Sequence, residues 1–415
     1  MFTIDYSHFM NKFTSEYLKE IPKTDLHLHL DGSLRITSLI EMAKKQKIEL
    51  PSFSEEGLRQ LVFKDSYKNL GEYLHGFMYT CAVLRDSENL ERAAYELAID
   101  NQNEGVYYIE VRYAPQLLMD NGKMDMIESI DAVNRGLKRA ESEFNQRKEV
   151  KEGLIPEFHY GIIACAMRMF GPQFSPYYGT LYKTLNYSHA EDVMKIGAIE
   201  LAQAVIEIRD QKGIPIVGFD LAGQEDGYPA ENFKEAYDYV HRHFMHKTVH
   251  AGEAYGAESI FQAISDLHAD RLGHAYYLFD DNKISDPKII NKRDYINKLS
   301  SFVAEKRVTV EVCLTSNMQT NPEIRDIKNH SFKQMLENKI STTICTDNRL
   351  VSNTTVTKEL ELAVNNFPID LKQLQDIVAY GFKRSFYPGA YREKRKYVRS
   401  ILNYFDMVTK KHNVR

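Results

Sequence analysis

The chain has no tryptophan, although it carries 26 tyrosines and 21 phenylalanines, a skew without an evident physical cause. Its 4 cysteines, Cys81, Cys165, Cys313 and Cys345, stand singly. Lacking any Cys-x-x-Cys pair, they suggest neither a disulfide framework nor a thiolate zinc site. Three of them sit in or beside apolar, strand-like runs, where a free thiol packs as a small hydrophobe. No stretch approaches the roughly 20 apolar residues of a membrane span. The start, Met1-Phe2-Thr3-Ile4-Asp5-Tyr6, has no basic-then-apolar signal pattern, so the expectation is a reducing, cytoplasmic setting. Basic excess is also missing: a net charge of −5 offers no surface for nucleic acid or an anionic membrane. With no repeats, low-complexity tracts or Gly/Ser-rich linkers, the expectation is a single domain spanning residues 1–415.

What the chain does have is alternation. Short apolar strands and amphipathic helical stretches follow one another almost throughout, the mark of an α/β protein with parallel strands. The strand candidates are Thr24–Leu30, Tyr107–Tyr113, His159–Ala164, Ile216–Leu221, Lys247–His250, Arg271–His274, Val308–Cys313 and Ser341–Cys345. Eight strands, each followed by helical sequence, suggest a (β/α)8 TIM barrel, and the length beyond about 250 residues implies additional helices. Ser87 is expected to cap one helix and Ser188 with Glu191 to form a capping box for another. Residues 126–144 are amphipathic, and residues 146–153 read as a solvated loop. The tyrosine-rich segment 171–187, with Gly171, Pro172, Pro176 and Gly179, reads as irregular: either a lid or assembly contact, or a surface excursion without a role. Residues 371–414 read as helices whose basic stretch 392–399 is a solvated face.

The chemistry concentrates at strand ends. In Thr24-Asp25-Leu26-His27-Leu28-His29-Leu30-Asp31-Gly32, strand alternation puts His27 and His29 on one face and the leucines on the other. Alone, such a pair is more often a hydrogen-bonded strand feature than half of a metal site. His250-Ala251-Gly252-Glu253, Arg271-Leu272-Gly273-His274 and Thr346-Asp347-Asn348 each end another strand on titratable groups. Because the carboxyl ends of barrel strands converge on one mouth, His27, His29, His250 and Asp347 would meet as three nitrogens and one oxygen. That donor set suits zinc with a position left for water, and Glu253 and His274 would stand beside it as acid–base groups. The helical histidines His241, His243 and His246 read as surface residues.

These segments, with Tyr108-Ile109-Glu110-Val111-Arg112-Tyr113-Ala114-Pro115 and Asp220-Leu221-Ala222-Gly223, follow one another in an order that resembles the adenosine deaminase family of metal-dependent hydrolases. The resemblance covers residues 24 to about 350. It implies one zinc ion per chain on His27, His29, His250 and Asp347, and a purine nucleoside as substrate. It further implies that Glu253 protonates purine N1, that Asp347 and His274 handle the attacking water, and that ammonia leaves. Gly223 would bond purine N3 through its N–H, and Asp31 the ribose 5′-hydroxyl. Leu70, Leu74 and Phe77, with Tyr73 at helical spacing, match the family's gate helix, although such a stripe also suits plain core packing. The sequence departs from many members in having Asn348 where a second acid contacts purine N7; an amide donates to that acceptor directly. A related 6-aminopurine compound (adenine, AMP or aminodeoxyfutalosine) is the alternative substrate, AMP being disfavoured by the charge of Asp31. A catalytically silent binding relative is the alternative of another class. Oligomeric state is not legible.

Overall fold

The computed structural model describes residues 13–414 apart from 121, 322, 323 and 325, so the amino-terminal stretch read above lies outside the described residues. Eight parallel strands form one sheet in chain order: β1 (Lys23–His29), β2 (Val106–Tyr113), β3 (His159–Met167), β4 (Ile216–Ala222), β5 (His246–Ala251), β6 (Arg271–His274), β7 (Thr309–Val312) and β8 (Thr342–Ile344). All eight expected strands are present within a few residues. The ring closes just beyond β8, where His29 N donates to Asp347 O and Asp347 N to His27 O, both at 2.8 Å. Helices surround the sheet, giving the (β/α)8 barrel.

Both faces of such a sheet are covered, so β1 is buried at every position. The leucines pack among the apolar core, with Leu26 and Leu28 at 0% exposure. Ionic groups cross between the strands. Arg112 on β2 bridges Asp220 on β4 at 3.0 Å and Glu311 on β7 at 2.9 Å. Arg271 on β6 pairs with Glu311 at 2.6 Å and also with Glu110. These charges are fully buried, and such groups are tolerated only because each is paired and hydrogen-bonded.

Several local expectations need correction. Asp86, not Ser87, caps the helix Ser87–Gln102, accepting Asn89 N–H while Ser87 Oγ bonds Glu128. The helix Ala190–Lys212 begins after His189 with no side-chain cap, so Ser188 and Glu191 form no capping box. The expected loop 146–153 contains a short helix, Lys148–Lys151. The tyrosine-rich segment is more regular than its prolines suggest. Ser175 caps a helix, Pro176–Thr184, with Pro176 in the first turn where its missing N–H costs nothing. Tyr178 is buried there, stacked on Phe170 at 3.8 Å between ring centroids. The carboxyl-terminal helices are present as Leu371–Arg384 and Tyr391–Lys411.

Candidate active site

At the carboxyl mouth the strand ends bring four imidazoles and a carboxylate together. His27, His250, His274 and Asp347 place ligand-type atoms within 4.8 Å of one another. His29 joins them, with Nε2 at 3.2 Å from His250 Nε2 and 3.4 Å from Asp347 Oδ1. His27 can lie against β6 because that strand has glycine there: a Cβ on Gly273 would stand 2.9 Å from His27 Cε1. Two of the residues aimed inward, His274 and Asp347, take left-handed backbone, with φ of 63° and 61°. Non-glycine residues adopt that region at a cost, which the surrounding contacts must hold in place.

The outer ring nitrogens determine what the inner ones offer. His27 Nδ1 lies 2.8 Å from Glu311 Oε2, and His250 Nδ1 lies 3.0 Å from Asp220 Oδ2. A carboxylate can only accept, so each histidine carries a proton on Nδ1, and in the neutral ring Nε2 is the bare nitrogen that faces the centre. His27 Nε2 is buried with no hydrogen-bond partner, its 3.4 Å approach to Asp347 Oδ1 falling outside bonding geometry. An unpaired buried nitrogen costs about 1–3 kcal/mol, and a cation would satisfy it. Carboxylate–imidazole pairs of this kind orient metal ligands. Asp347 keeps Oδ1 toward the imidazoles while Oδ2 accepts Ser316 Oγ at 2.6 Å. Burial raises its pKa, but the adjoining imidazoles outweigh that and hold it below the usual carboxylate range. The donor set therefore fits a divalent metal.

Glu253 is buried beside this cluster, with Oε1 at 3.9 Å from His274 Nε2. Burial, reinforced by the charges of Asp347 and Glu225 against the pull of His250 and Arg168, pushes its carboxyl up to about 8. A carboxyl so raised can serve as a proton donor near neutral pH. The loop carrying it is tied to Glu225, which no sequence pattern pointed to.

The cluster opens into a cavity of about 600 Å³. Every remaining residue expected of the site lines it: Asp31, Gly223, Asn348, Leu70, Leu74 and Phe77. Asp31 leaves Oδ1 without a partner, and the Cys81 thiol donates to its Oδ2 at 3.8 Å. Asn348 Nδ2 donates to Tyr73 Oη at 2.8 Å. The apolar stripe is not one helix: Leu70–Leu74 ends before Phe77, which begins a second helix, Phe77–Val83. Sequence reasoning missed Glu311 and Ser316 and gave no role to Asp220 and Arg112. The available signal was charge in the middle of strand sequence, as in Glu110-Val111-Arg112 and Val310-Glu311-Val312, where a barrel interior is the natural home for the side chain.

A closed ring of parallel strands with such a cluster at its carboxyl mouth defines a barrel enzyme with a candidate metal centre. The model of the family described as "Adenosine deaminase" matches residues 22–403. The chain is 34% identical over 350 residues to an adenosine deaminase of Clostridium botulinum, covering 84% of this chain and 89% of that one. It is 29% identical to a probable adenosine deaminase of Dictyostelium discoideum, over 90% of this chain but only 42% of the relative's length. A zinc-bound amidohydrolase structure from Burkholderia ambifaria superposes with a TM-score of 0.74 at 17% identity, covering 99% of this chain and 96% of that one, and shows the same fold. The chain belongs to the adenosine deaminase family of hydrolases. No helix among the described residues is long and apolar enough to cross a membrane.

Proposed function

We propose that this protein is a zinc-dependent deaminase that converts adenosine and 2′-deoxyadenosine to their inosine products with release of ammonia, the whole chain acting as one barrel domain. The observation that carries this reading is the convergence of His27 and His250, each turned inward by a carboxylate on its Nδ1, with the buried carboxyl of Glu253 at the same mouth. One zinc per chain would be held by His27, His29, His250 and Asp347, and when bound it supplies the Lewis acidity that makes water nucleophilic at neutral pH. The names of the family's members and the zinc in the Burkholderia protein agree with this choice.

The chain's own residues do the rest. Glu253 gives its proton to purine N1, which draws electrons from C6 and opens it to attack. Asp347 and His274 bracket the attacking water, and His274 steadies charge that develops on its oxygen. The water gives up two protons, one to the departing amine and one back to Glu253, so that as the C6–N6 bond breaks ammonia leaves and the carbonyl forms. Gly223 offers its N–H to purine N3, Asp31 meets the ribose 5′-hydroxyl, and Asn348 donates to N7. Leu70, Leu74 and Phe77 close over the base and exclude water.

A panel of adenosine, 2′-deoxyadenosine, adenine, AMP and aminodeoxyfutalosine, scored by ammonia release alongside zinc analysis, tests the reading. Adenosine should react best. Turnover of another member alone would move the substrate assignment to that compound, and zinc binding without any turnover would support a silent binding relative.

A further inference from the structure

Buried groups lead from a backbone amide to the centre of the cluster. Phe332 N–H donates to His330 Nδ1 at 3.0 Å. His330 Nε2 lies 3.2 Å from Asn317 Oδ1, and Asn317 Nδ2 lies 3.1 Å from His274 Nδ1. The three side chains are between 0% and 1% exposed.

A backbone N–H can only donate, which sets the polarity of everything after it. His330 Nδ1 must hold a lone pair, so the neutral ring carries its one proton on Nε2. Burial alone keeps that ring neutral, holding its pKa down to about 3. Nε2–H needs an acceptor, and Asn317 Oδ1 is the end of the amide that can accept. Turning the amide round would set donor against donor at His330. Asn317 Nδ2 therefore donates to His274 Nδ1, and the only proton of a neutral His274 sits on Nε2. We propose that Asn317 and His330 are positioning residues that set the tautomer of His274, so that it faces the reacting centre as an N–H donor and does not act as a metal ligand.

This rests on the deaminase reading, in which His274 meets the attacking water, and it deepens that reading. By distance His274 belongs with the candidate ligands. The relay removes it from that set, because a protonated Nε2 has no lone pair to give and Nδ1 is taken by Asn317. A donor aimed at developing charge does nothing for the substrate in its ground state, so the relay should show in kcat more than in KM.

The direct measurement is the 15N–1H long-range correlation pattern of histidine-labelled protein with zinc bound, which distinguishes the two tautomers without turnover. His274 is expected as the Nε2–H form. Asn317→Asp puts a carboxylate between the two rings, where it can only accept, and should move the His274 proton to Nδ1. The expected result is a loss in kcat of about 100-fold or more, the usual cost of removing one such donor, with KM and zinc content little changed. His274 found as the Nδ1–H form in the native protein would overturn the proposal, and that measurement does not depend on any variant folding. So would an Asn317→Asp enzyme with near-native kcat. An Nε2–H signal in a zinc-loaded protein that deaminates nothing would support the relay and overturn the deaminase reading.

Discussion

Glu225 Oε2 accepts the backbone N–H of Glu253 at 2.9 Å. The same carboxylate takes the N–H of Gly252, Ala254 and Tyr255 and the hydroxyl of Ser259. Consecutive amides converging on one anion form a nest, here filled by the protein's own side chain. Gly252 permits it: its φ is 77°, and a Cβ would stand 2.6 Å from Ile260 Cδ1. The bond thus holds the proposed proton donor through its backbone, from the loop that also carries Gly223.

Glu225→Gln places an NH₂ group among these donors. We expect a stability loss of about 1–3 kcal/mol, as for other buried networks left partly unpaired, measured by urea unfolding. A fall of at least about tenfold in kcat should accompany it, because a shift of the reacting group by even 1 Å is costly. A variant with native stability and native kcat would show that the nest is dispensable.

The pH dependence follows from Glu253. Its carboxyl is pushed up to about 8 by burial, so the competent, protonated form is lost as pH rises through that value. A divalent cation nearby favours the carboxylate, so the alkaline limb of kcat/KM should fall at about 8 or somewhat below. Glu253→Gln should abolish turnover while retaining zinc. The stability effect has the same sign: the unfolded carboxyl ionises near 4.5. Between there and about 8 the folded state keeps a proton that the unfolded state has released, so stability declines as pH rises. Urea midpoints of native and Glu253→Gln protein across that range would show a shallower slope in the variant, the remainder coming from the buried carboxyls of Asp25 and Asp31, likewise raised to about 7.

Metal removal should act on folding as well as on activity. A metal that binds only the folded state stabilises it by about 4 kcal/mol when present at 1,000 times its Kd. Chelation is therefore expected to lower Tm and abolish activity together, with zinc restoring both. His27→Ala should bind no zinc. Glu311→Gln, which leaves every proposed ligand in place but loosens His27, should weaken zinc binding by about 10–100-fold. Unchanged affinity in that variant would remove Glu311 from the support of the site.

Tyr73 joins the proposed gate to Asn348, the proposed reader of the base. Its hydroxyl accepts from Asn348 Nδ2 and lies 2.8 Å from Ser352 Oγ. One of the two amide protons is thus held by Tyr73, leaving the other for the proposed bond to purine N7. Tyr73→Phe keeps the ring that packs on Tyr67 at 5.1 Å between centroids and removes only the hydroxyl. We expect kcat/KM for adenosine to fall about tenfold, the worth of one hydrogen bond, while that for 7-deazaadenosine, which lacks N7, stays within about twofold. Equal losses on both substrates would mean that Tyr73 only packs.

Much of this protein is legible in one dimension. A strand's alternation places His27 and His29 on one face and Leu26, Leu28 and Leu30 on the other, because the backbone repeats every two residues whatever surrounds it. The strand ends at His250, His274 and Asp347 stand out for the same reason, as titratable groups where apolar runs stop. Helix boundaries were less legible. Asp86 and Ser87 are both good caps, and only packing decides which one starts the helix.

The remaining features depended on closure of the barrel. Glu311 is 284 residues from His27, and Asn348 is 275 from Tyr73. Local periodicity carries no information about such pairs, since they meet only when every strand has taken its place in the ring. Residue order alone says which side chains could do chemistry and which way each strand presents them. Tertiary structure alone decided which nitrogen carries a proton, because that is set by the partner on the far side of each ring.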